Sequence, residues 1–321
     1  MKAGRNGSES WRVMTGIATV EAIDVQVGRT GILTPVAHIS PVRLAGTVVK
    51  RVNLYNFDEV RLKDVRVGDD VLVWEAGNVI PQIVQVVNGD RADRSSPCVP
   101  PHRCPACKGP LTRPGAVHLC CTNPNCPARV KERIRHFASR GAMNIKSLGP
   151  ARIERLVDSG LVRTAADLYA LEIGGAAALE GMGEQSARRL LRAIEASKSR
   201  GLASLLVGLS MPHIGNTTAK ALAARFGTLD ALMSADGWQL REVAGVGKEG
   251  AEAIIAFFGN PRSRSVIHRL MMAGVGAPPA HHAASSHRLS ALVDKITHIL
   301  KAGVRFVLAA GLRGGEYDHG N

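Results

Sequence analysis

Five of the six cysteines fall between Cys104 and Cys126. Four of them form two close pairs, Cys104-Pro105-Ala106-Cys107 and Cys121-Thr122-Asn123-Pro124-Asn125-Cys126, with thirteen residues between. Two such pairs across a loop supply four thiolates, the tetrahedral donor set a structural Zn²⁺ prefers, and a full set leaves no open position for catalysis. In a reducing compartment this clustering points to metal rather than disulfides. Cys120 adjoins Cys121 and could exchange roles with it. Cys98 reads as a bystander thiol, and with four cysteines available His102 and His118 are not needed as ligands.

A second pattern carries no side-chain chemistry and depends on backbone. The phrases Ile145-Lys146-Ser147-Leu148-Gly149, Leu179-Glu180-Gly181-Met182-Gly183, Met211-Pro212-His213-Ile214-Gly215 and Val243-Ala244-Gly245-Val246-Gly247 share one form, with apolar first and fourth residues and a closing glycine. The closing glycines are 34, 32 and 32 residues apart, the period of a repeated supersecondary unit. Each phrase precedes a helix-forming run, so the unit reads as helix, tight hairpin, helix. Glycine at the hairpin permits a positive φ and leaves no Cβ in the way of a close approach. The free N–H groups and positive dipole end of the second helix can then hold a phosphate without reading a base. Gly149, Gly181, Gly183, Gly215, Gly245 and Gly247 are the candidate contact glycines. Arg152, Arg188, Arg189, Lys220 and Lys248 follow the closing glycines and fall near the same phosphates.

The elements that must position these groups follow from texture. Residues 1–15 are polar and read as a disordered lead-in. Residues 16–90 hold short β-rich runs, such as residues 18–25, 47–52, 70–74 and 79–87, broken by Gly28, Gly31, Gly46 and Gly68; a short helix fits near 56–61. This is the pattern of a small Greek-key barrel such as the OB-fold. Arg29, Arg43, Lys50, Arg51, Arg61, Lys63 and Arg66 are its candidate groove cations. Residues 88–101 read as a Pro/Ser/Asp linker, 98–130 as the four-cysteine finger, 131–276 as an all-α helix-hairpin-helix domain with four hairpins, and 277–321 as linker and tail. A basic helix is expected over 129–140.

Lys plus Arg outnumber Asp plus Glu by 41 to 27, giving +14 and a pI near 10.0, an excess that attracts a polyanion. Aromatic residues are only 4%, which favours backbone contacts over base stacking. No run approaches the ~20 apolar residues of a spanning helix, and residues 1–11 lack the apolar core of a signal peptide, so a cytoplasmic setting with no membrane partner is expected.

The order of parts resembles bacterial NAD-dependent DNA ligase. The resemblance is carried by Gln26-Val27-Gly28-Arg29-Thr30-Gly31, Thr34-Pro35-Val36-Ala37, Pro41-Val42, Leu44-Ala45-Gly46, Ala76-Gly77-Asn78-Val79-Ile80-Pro81, the cysteine cluster, His136-Phe137-Ala138-Ser139-Arg140 and the four hairpins. It covers residues 18–275. It implies an OB-fold, a zinc finger and a helix-hairpin-helix domain that together encircle duplex or nicked DNA, with Arg29 near the nick backbone and a nucleoid-associated protein of replication and repair. That family adenylates an active-site lysine from NAD, passes AMP to a 5′-phosphate and lets the 3′-hydroxyl displace it, with Mg²⁺ as metal.

The departures bear on activity. No Lys-x-Asp-Gly occurs in the sequence, and the only lysine before Ala18 is Lys2. A BRCT-like segment is not evident after Gly276. Tyr55 stands where the family usually has His, and Asn78 where it usually has Asp. The expectation is therefore a chain with no catalytic residue of its own, NAD and Mg²⁺ serving only the complete ligase. It would work with an adenylation domain supplied in trans, or be a truncated product; the alternative is a stand-alone, structure-specific DNA-binding protein.

Overall fold

The computed structural model describes residues 13–44, 46–76, 80–115 and 117–276. The polar lead-in up to residue 12, Asn78, and the tail from residue 277, with its His281-His282 pair, lie outside the described residues. The chain divides into two compact units: residues up to His136 with Leu148–Arg188, and Phe137–Ser147 with the residues from Arg189 on. The stretch expected as one helix-hairpin-helix domain is thus shared between the units.

The first unit opens with a five-stranded antiparallel sheet of β1 (Val13–Val27), β2 (Leu33–Leu44), β3 (Thr47–Asn53), β4 (Asp70–Ala76) and β5 (Gln82–Val86), ordered β3-β2-β1-β4-β5. β1 pairs with β4 through residues 13–19 and with β2 through residues 20–27, the change-over marked by a register shift between Val20 and Ala22. One strand serving two neighbours at a bulge is how a short sheet curls into a barrel. Alternate residues point inward: Ala18, Val20, Ala37, Ile39, Val71, Val73 and Ile83 are all buried in one core. Helix α1 (Phe57–Lys63) sits between β3 and β4, capped by Asn56 and burying Phe57 and Val60. This is the OB-type barrel expected from the sequence, although β1 begins at Val13, inside the stretch read as lead-in.

The stretch read as a linker after the barrel is tied down. Arg94 Nε and Nη2 donate to Asp69 Oδ1 and Oδ2 (3.0 and 2.9 Å), and Nη1 donates to Asp64 Oδ2 (2.8 Å). Asp69 is fully buried. Burial alone would raise its carboxyl, but the hydrogen bonds from Arg94 and from the Arg66 backbone hold it below the usual carboxylate range. Hydrogen bonds from Arg66, then Arg94, depress Asp64 in the same way despite its burial cost.

Beyond the barrel come the two-stranded ribbon β6 (Leu111–Thr112) and β7 (Cys120–Cys121), then α2 (Pro127–Ala138) and α3 (Pro150–Asp158). The remaining helices are α4 (Ile173–Ala177), α5 (Glu184–Ser197), α6 (Gly201–Gly208), α7 (Asn216–Phe226), α8 (Leu229–Met233), α9 (Gly237–Arg241), α10 (Lys248–Gly259) and α11 (Pro261–Met272). Helices α3, α5, α7 and α10 each start at the residue after a closing glycine. No helix among the described residues is long and apolar enough to cross a membrane.

Candidate metal centre and nucleic-acid interface

The ribbon brings the cysteine pairs together. Lys108, with φ 57°, reverses the chain after Cys107. Its N–H donates to the Cys104 carbonyl (2.8 Å), and the Cys104 N–H donates to the Gly109 carbonyl (3.0 Å). Cys121 lies on β7, and Cys126 immediately precedes α2, accepting from the Val130 N–H (2.9 Å). The result is Cys104 Sγ 3.8 Å from Cys126 Sγ and Cys107 Sγ 3.6 Å from Cys121 Sγ, with all four ligand atoms within 4.8 Å of one another. A tetrahedron with ~2.3 Å metal–sulfur bonds has edges of ~3.8 Å, so these thiols fit a thiolate-bound divalent cation without rearrangement.

Burial pushes the Cys121 thiol up to about 12 and raises Cys126 as well. At Cys107 burial acts the same way, but hydrogen bonds from the Gly109 backbone and the Asn123 side chain outweigh it and hold the thiol at about 7. Ionising the buried set requires a compensating positive charge, which a divalent metal supplies. Cys120 falls outside the group, as alternation along β7 requires when Cys121 points in. Cys98 is half-buried against the barrel core and the cysteine cluster, and burial raises its thiol. His102 and His118 are exposed and outside the group.

The hairpins share one internal geometry. The first and fourth residues are apolar anchors: Ile145 with Leu148, Met211 with Ile214 and Val243 with Val246 are all buried. In three hairpins the fourth residue's N–H donates back to the first residue's carbonyl: Met182 to Leu179 (3.0 Å), Ile214 to Met211 (3.3 Å) and Val246 to Val243 (3.0 Å). The positive φ expected of the hairpin falls two residues before each closing glycine: Ser147 67°, Gly181 66°, His213 63° and Gly245 82°. The reason is the turn itself, which needs a left-handed residue between its apolar anchors. Gly149, Gly215 and Gly247 are helix N-caps in extended conformation (φ −82°, −94° and −80°) that any residue can adopt.

Nothing among the described residues demands glycine at these closing positions. A Cβ built on Gly149, Gly183, Gly215 or Gly247 would meet no atom within 4 Å, and all four are exposed. No side chain caps α3, α7 or α10. Elsewhere the chain uses ordinary polar caps, with Asn56, Thr228, Asp236 and Asn260 accepting from the first turns of α1, α8, α9 and α11. At these three helices the glycine N-cap therefore offers the opening N–H groups no side-chain acceptor of its own. α3 offers one fewer donor because it begins with Pro150.

Comparison with known proteins matches the barrel and the hairpin region. A family model described as the NAD-dependent DNA ligase OB-fold domain matches residues 17–95. A SAM-like helix-hairpin-helix tandem matches 140–196, and a helix-hairpin-helix motif matches 204–267. The chain is similar to the OB-fold and helix-hairpin-helix portion of NAD-dependent DNA ligases. It is 47% identical over 260 residues to a DNA ligase of Pelotomaculum thermopropionicum, covering 81% of this chain and 38% of the relative. It is 44% identical over 265 residues to one of Desulfitobacterium hafniense (82% and 40%), and 44% identical over 256 residues to one of Thermotoga neapolitana (79% and 37%). The chain spans about two fifths of the length of these relatives.

The basic residues sort into two groups. Arg29, Arg43, Lys50, Arg51, Arg189, Lys220 and Lys248 are exposed. Arg61, Lys63 and Arg66 serve the fold instead: Arg61 pairs with Asp58, Lys63 Nζ donates to the Ile83 carbonyl (2.8 Å), and Arg66 forks onto Asp64. Arg188 donates to Glu184 one turn back (Nε to Oε1, 3.1 Å), while Arg152 is half-buried. Tyr55 is held at φ 63°, its N–H donating to Asn53 Oδ1 (2.7 Å).

Proposed function

We propose that this chain grips duplex DNA around a nick through the sugar–phosphate backbone, as the DNA-holding part of an NAD-dependent DNA ligase. The observation that carries the reading is the set of exposed, sterically unconstrained closing glycines at the starts of α3, α5, α7 and α10, of which α3, α7 and α10 have no side-chain cap. Glycine there serves something outside the chain, and an anion against the N–H groups is what a helix N-terminus attracts. Gly181 and Gly245 shape the same turns from within. Arg29, Lys220 and Lys248, with Arg188 once released from Glu184, supply the neutralising charge.

The four-cysteine centre holds structural Zn²⁺ through Cys104, Cys107, Cys121 and Cys126 in this reading. Joining the nick needs a lysine adenylated from NAD with Mg²⁺. That step belongs to residues outside these 321, since no Lys-x-Asp-Gly occurs among them. The setting is the bacterial cytoplasm, at the nucleoid.

Titration of nicked duplex over a salt series tests the grip. Log K should fall with log salt by about 0.9 for each phosphate neutralised; a flat dependence rejects backbone binding. A nick-sealing assay with NAD, with and without an adenylation domain added in trans, tests the division of labour. Sealing without the added domain overturns it.

A further inference from the structure

The metal-binding loop and the turn that carries Arg29 are built into one another. The β1–β2 turn is Gly28-Arg29-Thr30-Gly31, closed by Gly28 N–H to the Ile32 carbonyl and Gly31 N–H to the Gly28 carbonyl (both 2.9 Å). Its far side extends the sheet onto the ribbon: Leu33 N–H donates to the Leu119 carbonyl and Cys121 N–H to the Gly31 carbonyl (both 2.8 Å), with Ile32 bridging Cys120. Gly31 has φ 97°, and a Cβ there would lie 2.5 Å from the Cys121 carbonyl oxygen and 3.2 Å from the Arg129 guanidinium. This glycine is required by both conformation and close approach.

Arg129, on α2, closes the joint. Its Nη1 donates to the Cys121 and Asn123 carbonyls (2.9 and 3.1 Å), holding the segment between two metal-ligand positions against Gly31. Its Nε is buried with no acceptor among the described residues. Seven residues on, along the same face of α2, His136 Nδ1 lies 3.4 Å from Arg29 Nη1. One helix face therefore braces both the loop that presents the thiols and the exposed arginine two residues from Gly31.

We infer that Arg129 is a positioning residue: it locks the four-cysteine loop to the β1–β2 turn, so Arg29 meets DNA in a fixed pose only while that loop is held. The inference rests on the proposed DNA contact of Arg29. It predicts that loading the thiols with metal and keeping Arg129 act through the same joint.

A double-mutant cycle with an independent exchange readout tests this. Arg29→Ala, Arg129→Gln and the double variant are loaded with Zn²⁺ and titrated against nicked duplex, while amide hydrogen exchange is followed at Leu33 and Cys121. Arg129→Gln should weaken binding about as much as Arg29→Ala, roughly ten-fold for one charged hydrogen bond. The double variant should be no weaker than either single one. Exchange at Leu33 and Cys121 should quicken at least ten-fold, with Val71 and Val73 in the barrel core unchanged. Multiplying losses in the double variant, or unchanged exchange at Leu33 and Cys121, overturn the inference. If Arg29→Ala binds DNA normally while Arg129→Gln still frees those amides, the joint stands and the Arg29 contact falls. Should Arg129→Gln not fold, chelating the metal from the unsubstituted chain gives the same exchange readout, and unchanged exchange there also overturns it.

Discussion

Replacing Gly247 by Asp should raise stability and weaken DNA binding together. Gly247 sits at the N-cap of α10 with φ −80° and ψ −176°, and a Cβ there meets nothing within 4 Å, so Asp enters without strain. Its carboxylate can accept from the uncapped N–H groups of the first turn, as Asp236 does at α9 by accepting from Trp238 and Gln239 (2.9 and 2.8 Å). Exchanging glycine for aspartate at an N-cap contributes about a few tenths of a kcal/mol, so Tm should rise by about 1 °C. The same carboxylate occupies the place of the phosphate and repels it. Loss of one hydrogen-bonded charge contact costs about 1.5–3 kcal/mol, a ten- to hundred-fold weaker complex. Fluorescence anisotropy with a labelled nicked duplex measures the affinity, and a thermal melt the stability. Unchanged affinity alongside the higher Tm would remove this hairpin from the interface and break the argument that its glycine serves an external anion.

Cys104→Ser and Cys121→Ser should lose the metal and much of the fold around it, whereas Cys98→Ser and Cys120→Ser keep about one metal per chain by elemental analysis. Metal affinity should fall with falling pH, because Cys121 (near 12 without a cation) and the raised Cys126 must give up protons to bind; a chelator competition at several pH values reads this. Arg94→Ala leaves the buried Asp69 without its cation and should lower the urea midpoint of unfolding. Asp64 and Asp69 have lowered folded pKa values, so their contribution is complete above the unfolded carboxylate pKa of about 4 and is lost as pH falls through the folded values; unfolding at neutral and acid pH should show the difference shrinking. Ser147→Gly or His213→Gly relieves a left-handed residue and should stabilise by about 1 kcal/mol, visible as a higher urea midpoint.

Much of this architecture is written in local pattern. Alternation over 18–25 and 70–74 marks strands because one face is buried, and the four-cysteine spacing marks a metal centre because thiolates converge only across such a loop. Strand β2 is harder to see. Pro35 and Pro41 interrupt it, yet both are accommodated, Pro41 within the irregular pairing between His38 and Val42 and Pro35 with its carbonyl accepting from Leu54 N–H (3.0 Å). Residues 88–101 look like a linker because their anchors are distant in sequence, above all Arg94 meeting acids 25 and 30 positions earlier, a pairing no local window contains. Arg129 is invisible for the same reason: its partners are backbone carbonyls, which leave no trace in residue type.

The hairpins show where type and role separate. In the sequence both glycines of Leu179-Glu180-Gly181-Met182-Gly183 and Val243-Ala244-Gly245-Val246-Gly247 look alike. In the structure the earlier one satisfies the chain's own turn, which is why Ser147 and His213 can replace it at a cost in backbone strain. The closing one has no reason among the described residues to be glycine, yet it is glycine all four times. A position that tolerates exchange when the demand is conformational, and shows none when the described residues leave room for a Cβ, fits the proposed contact with an outside partner. With aromatic residues at 4% and a net charge of +14, that partner is met through many separate anionic contacts rather than through stacked bases. Binding should then weaken in steps as successive hairpins are blocked, each step removing a similar increment of salt dependence.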